Sequence, residues 1–116
     1  MKVLRIQNAY QVTTDMAAMR AFYETALQLP QKFADGDQWV QYDGGNTNFA
    51  LAGPRESPAG AQGTVVVFEV DTLDGVADII ASSGGHLEGI RDMSSHGKVA
   101  TCRDPEGNLF QLFCRS

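Results

Sequence analysis

Apolar and polar positions change period along this chain, and the changes come twice in the same order. Val3 to Val12 reads as a strand, and Thr13, Thr14 and Asp15 lead from it into a helical stretch, Met16 to Leu27. There Met16, Met19, Phe22, Tyr23, Ala26 and Leu27 recur at helical spacing and form one apolar stripe. Short strands follow at Lys32 to Ala34, Gln38 to Tyr42 and Asn48 to Ala52. The second half begins with a strand, Val65 to Val70, and continues into a helix, Thr72 to Ser83, striped by Leu73, Val76, Ile79 and Ile80. Strands at His86 to Ile90, Lys98 to Arg103 and Leu109 to Cys114 complete it. The pattern predicts an α+β fold of two βαβββ repeats. Their curved, mostly antiparallel sheet would form a cup with the helices on its convex side, and a concave surface suits a small ligand.

Local chemistry supports these boundaries. Asp15 or Thr14 can cap the first helix by accepting from its unpaired N–H groups, and Pro30 stops it soon after Leu29. Asp71 or Thr72 is placed to cap the second, and Gly84-Gly85 supplies the positive-φ exit that a helix end favours. Asp35-Gly36-Asp37, Asp43-Gly44-Gly45 and Asp104 to Asn108 are turn-formers between apolar runs. Gly53 to Gly63 is rich in Gly and Pro, has no period, and reads as a linker. The expectation is a single domain over residues 1–116, with repeat one about 1–52, the linker about 53–63 and repeat two about 64–116.

Composition narrows the partners. A net charge of −5 argues against nucleic acid and anionic membranes, since neither would meet a basic patch. No apolar run approaches the ~20 residues of a membrane span, and Met1 to Arg5 enters a strand without the apolar region of a secretory signal. A cytoplasmic protein is expected. Cys102 and Cys114 lie on consecutive strands, with Cys102 opposite Leu109 or Phe110, so Cys114 falls too far along for a disulfide. Both read as reduced thiols.

The chain resembles the vicinal oxygen chelate superfamily, which includes glyoxalases, extradiol dioxygenases, epimerases of this fold and bleomycin-resistance proteins. The carriers are the strand-into-Asp-into-helix start with Phe22-Tyr23, the run Val67-Phe68-Glu69-Val70-Asp71, and Arg103-Asp104-Pro105-Glu106-Gly107-Asn108-Leu109-Phe110-Gln111-Leu112. The resemblance implies a glyoxalase-like fold and a homodimer that completes the cups. It also implies, for the enzymes, a divalent metal held by His, Gln or Glu from four strands, where a Lewis acid polarises two vicinal oxygens. The matching positions here are Gln7 or Asn8, then Ala50 with its neighbours Phe49 and Leu51, then Val65, and Gln111 where the enzymes carry Glu. Two neutral amides give a divalent ion no charge compensation, so no cofactor is expected. The alternative is a metal on Gln7 and Gln111 completed by the partner subunit.

Other candidates are single residues. Glu69 alternates with Phe68 and Val70 and should face the cup, where it could orient a ligand, bind a cation or act as a base. The plainer expectation is an exposed glutamate near a strand end. Gln111 is a candidate hydrogen-bonder on the face of Leu109 and Phe113. His96, in the polar loop Ser94 to Lys98, is a candidate base or anion binder beside an ordinary-turn reading. Trp39, Tyr42 and Phe49, with Phe33, either line the cup or are buried under the helix or across a dimer contact; alternation leaves both open. No Ser/His/Asp or Cys/His arrangement is visible.

The expected function is therefore a metal-independent small-molecule-binding protein of the glyoxalase/bleomycin-resistance type. It would take an amphipathic or planar ligand through Gln7, Trp39, Tyr42, Phe49, Glu69, His96 and Gln111. The alternatives are a lyase, isomerase or dioxygenase-like enzyme of the same superfamily, with a metal or with Glu69 as base, and a dimeric module without a small ligand.

Overall fold

In a computed structural model, which describes residues 1–115, the strand β1 (Val3–Val12) precedes the helix α1 (Met16–Thr25) and the strands β2 (Gln31–Asp35), β3 (Trp39–Asp43) and β4 (Asn48–Ala52). The order then repeats as β5 (Thr64–Val70), α2 (Val76–Ser82), β6 (His86–Asp92), β7 (Lys98–Arg103) and β8 (Leu109–Cys114). The strands form a mixed sheet in the order β2-β3-β4-β1-β5-β8-β7-β6. The βαβββ reading is thus met twice, with the same pairing in each half. β1 runs parallel to β4 and β5 parallel to β8, while the other pairs in each half are antiparallel.

The chain divides into two units that differ from the expected halves. One holds Met1–Gln7 with the chain from Val66 onward, and the other holds Asn8–Val65. β1 is therefore shared, and the expected linker belongs to the second unit. There Pro54–Glu56 forms a short 3-10 turn closed by the Ser57 hydroxyl, which donates to the Gly53 carbonyl at 2.9 Å.

In the unit of Asn8–Val65, Asp15 caps α1, its Oδ1 accepting from the Ala18 N–H at 3.1 Å. The helix buries Met16 and packs Met19 and Tyr23 on Val40, Tyr42 and Leu51 of β3 and β4. It ends at Thr25, and Phe22 and Leu27, expected on the apolar stripe, are each 55% exposed. Leu27 lies past the C-cap Ala26, and Gln28 (φ 54) then turns the chain left-handed, so the helix does not continue.

In the other unit α2 starts four residues later than its pattern suggests. Gly75 (φ 70) is the N-cap, a conformation that breaks the helix before Val76. Asp71 and Thr72 do not cap it. The Asp71 carboxylate takes the Lys2 N–H at 2.7 Å, and the Thr72 hydroxyl closes a local turn on the Asp74 N–H. The helix exits as expected: Gly84 (φ 88) and Gly85 donate to Ala81 and Ile80, satisfying its last carbonyls. Val76, Leu73 and Ile80 pack on Val70, Ala100, Cys102, Leu112 and Cys114, one side of β5, β8 and β7.

The β7–β8 turn shows why Arg103 to Asn108 is so specific a segment. Asp104 accepts from the N–H groups of Glu106 and Asn108 and from the Asn108 amide, and these bonds, that amide foremost, lower its carboxyl pKa. The Arg103 guanidinium donates to the Gly107 carbonyl at 2.8 Å and pairs with Glu88 on β6. Cys102 pairs in register with Phe110, and both cysteines are buried thiols.

Candidate functional site

The register fixes which side chains stand on the side of each sheet away from its helix. In the unit from Val66 onward, Val67, Gln111 and Thr101 are aligned across β5, β8 and β7, as are Glu69, Phe113 and Val99. Their neighbours Phe68, Leu112 and Ala100 pack in the α2 core. Alternation then sends Val67, Glu69, Gln111, Phe113, Val99 and Thr101 to the helix-free side.

Glu69 is not the exposed glutamate that its place near a strand end suggests: it is only 7% exposed. Its Oε1 takes the Arg5 Nε at 3.0 Å and its Oε2 the Arg115 Nε at 3.2 Å. A carboxylate removed from water needs such compensation. The partners lie 64 and 46 residues away in sequence, so local pattern could not name them. The one available signal was Arg5 itself, a charge within an apolar strand. The Arg115 guanidinium also stands 5.5 Å from the centre of the Phe113 ring.

Gln111 is 8% exposed, and its amide donates to the Thr101 hydroxyl on the neighbouring strand at 3.0 Å. Thr101 is a partner the sequence did not single out. His96 is exposed in a short 3-10 turn, Ser94–His96, so the candidate base stands in solvent. The next residue, Gly97 (φ 91), lies so close to the Cys114 carbonyl that a Cβ there would collide with it and crowd the Phe113 ring. Gln7 is partly buried at the end of this unit's share of β1.

In the unit of Asn8–Val65, Tyr42 and Phe49 are opposite one another on β3 and β4 and face α1. Tyr42 has no exposed surface, and its hydroxyl donates to Glu24 Oε2 at 2.7 Å, which Arg20 also contacts. Burial, with that acceptor beside it, pushes the Tyr42 hydroxyl up to about 12. The expectation that these two rings line a ligand surface gives way to their role in the core. Trp39 alternates to the opposite side with Gln41, and its indole N–H donates to Gln41 Oε1 at 3.1 Å. Its ring meets the edge of Tyr10 at 5.2 Å between centroids. In this sheet Gln41, Ala50 and Tyr10 are aligned, as are Trp39, Ala52 and Val12.

This register also resolves the slip on β1. Asn8 pairs with Asn48 and Tyr10 with Ala50, so Asn8, not Gln7, shares the side of Ala50. The positions that would hold a metal thus carry Asn8, Ala50, Val65 and Gln111. Ala50 and Val65 are buried hydrocarbon, and the other two are neutral amides. Among the described residues no three His, Cys, Asp or Glu side chains gather to hold an ion. This donor set does not fit a divalent metal.

Comparison with known proteins places the architecture. A family model described as Glyoxalase/Bleomycin resistance protein/Dioxygenase superfamily matches residues 5–112. A search of curated proteins finds none that matches the chain. Among solved structures, a glyoxalase/bleomycin resistance protein/dioxygenase superfamily member from Vibrio splendidus 12B01 is 18% identical with a TM-score of 0.68, over 95% of this chain and 97% of that one. A methylmalonyl-CoA epimerase in complex with methylmalonyl-CoA and ammonium is 17% identical with a TM-score of 0.72, over 99% and 96%. Homoprotocatechuate 2,3-dioxygenase from Brevibacterium fuscum is 24% identical with a TM-score of 0.70, over 97% of this chain but 37% of that enzyme. Such identities speak for the fold, which hosts many chemistries.

Proposed function

The chain belongs to the Glyoxalase/Bleomycin resistance protein/Dioxygenase superfamily, and within it we propose a metal-independent small-molecule-binding protein. The observation that carries this reading is Gln111. At a position where enzymes of this family carry a glutamate, a buried amide donates to Thr101, and the matched positions Ala50 and Val65 offer only hydrocarbon. Such groups can contact an organic molecule by dispersion and neutral hydrogen bonds, yet they cannot compensate the charge of a bare cation.

The proposed capture surface is the helix-free side of β5, β8 and β7, where Gln111 and Thr101 stand beside the partly exposed Phe113 and Val99. Polar groups among apolar ones orient a ligand while the apolar area supplies affinity. Catalysis by Glu69 as a base loses support, because both of its oxygens are engaged by guanidinium groups. The protein is read as a cytoplasmic homodimer. Buried reduced thiols at Cys102 and Cys114 suit a reducing compartment, and the half-exposed run of Val3, Leu4 and Ile6 favours association.

Thermal-shift screening of the purified protein against aromatic and aliphatic compounds, with and without divalent ions, tests the reading. A hit raises the melting temperature by mass action, equally in chelator, and weakens in Gln111→Ala. A hit that appears only with added metal overturns it.

A further inference from the structure

Glu69 suggested a cation binder from sequence; the structure reverses the sign. One buried carboxylate is flanked by two guanidinium groups, so the cluster carries a net positive charge in a chain whose net charge is −5. Each arginine meets Glu69 through Nε. Nε carries that contact, so the Nη edge, the fork that matches an oxyanion, is not spent on Glu69. Among the described residues no further hydrogen bond engages those edges, and the two side chains are 55% and 62% exposed. Because both arginines hold the same carboxylate, the two guanidinium groups stand at one place on the protein surface.

Asp71, the next acid beyond β5, stays ionised, because the Lys2 N–H that it accepts carries no charge and lowers its pKa; selectivity for an anion therefore rests on the orientation of the two guanidinium groups and not on net charge. Beside the forks stands Phe113, in cation–π contact with Arg115 and aligned with Glu69 and Val99 across the sheet. A ligand whose charge sits at Arg5 and Arg115 can lay an apolar body along this row.

We infer that Arg5 and Arg115, clamped by Glu69, form an oxyanion site that takes the carboxylate or phosphate of an amphipathic organic ligand. Glu69 is then a positioning residue: it holds the forks and does not touch the ligand. The inference rests on the reading of the chain as a small-molecule binder and names the ligand class.

Calorimetric titration of the full chain with benzoate, phenyl phosphate, benzamide and benzylamine tests it. The acids should bind at least about tenfold tighter than benzamide, with added salt weakening them and leaving benzamide unchanged. Benzoate against phenyl phosphate decides whether the site prefers carboxylate or phosphate. Arg115→Gln should abolish the preference for the acids, and Arg115→Lys, which keeps the charge and loses the fork, should restore only part of it. If Arg115→Gln does not fold, the acid-to-amide ratio of the unaltered protein decides alone. Benzamide or benzylamine binding as tightly as the acids would overturn the anion site and leave small-molecule capture standing. Saturable binding of neither acid would also overturn it, whereas capture itself fails only if the broader screen yields metal-dependent hits.

Discussion

Tyr10 and Trp39 meet edge to face, 5.2 Å between ring centroids, although β4 runs between their strands. Strands two apart in a sheet are separated by about 9.6 Å, so the rings must lean toward each other across β4. Ala50 and Ala52 leave the room for this, being small residues with no exposed surface. The position that would supply a metal ligand is therefore a methyl group beside an aromatic pair.

Restoring a ligand there should fail. Ala50→Glu would drive a carboxylate into the space that the rings occupy, and it should destabilise the protein by roughly 2–4 kcal/mol without conferring metal binding. Chemical denaturation with and without zinc checks both parts.

The tie between Tyr42 and Glu24 makes stability depend on pH at both ends. Arg20 first and then Tyr42 hold the Glu24 carboxyl below its ordinary value of 4.5, so their contribution is present above that pH and is lost as pH falls through the folded value. Tyr42→Phe should cost about 1 kcal/mol near neutrality, and the difference should shrink in acid. In alkali the unfolded chain ionises its tyrosine from 10.0, whereas folded Tyr42 keeps its proton to about 12, so stability falls as pH rises between those values. Tyr42→Phe should lose less there. Denaturation midpoints across pH read both trends.

Cys102 has no exposed surface, and burial pushes its thiol up to about 11. A thiol reagent at pH 8 should leave it unmodified in the folded protein and label it rapidly on denaturation. Prompt labelling without denaturant would contradict the core described above.

Two glycines should respond oppositely to the same change. Gly97→Ala puts a Cβ against the Cys114 carbonyl at a φ of 91°, and should cost more than about 2 kcal/mol. Gly89→Ala, where a Cβ meets nothing within 4 Å, should be neutral or slightly stabilising. Thermal melts compare them directly.

The strands were readable because their determinants are local. β1, β4, β7 and β8 begin and end where alternation and turn residues place them. α2 was not, because Gly75 adopts a positive φ inside an apolar stripe that still looks helical. The site was legible only as single positions. Alternation turned Glu69 away from the helix, but Arg5 and Arg115 come from the far ends of the chain. Tyr42 and Phe49 could be told from Trp39 only once the β3–β4 register put them on the side of α1.

The central claim, capture without a metal, is tested most directly by elemental analysis of the purified protein together with calorimetric titration of zinc, manganese and nickel. The account predicts far less than one ion per chain and no saturable uptake, in the unaltered protein and in Gln111→Ala alike. One tightly held divalent ion per chain, lost in Asn8→Ala or Gln111→Ala, would contradict it.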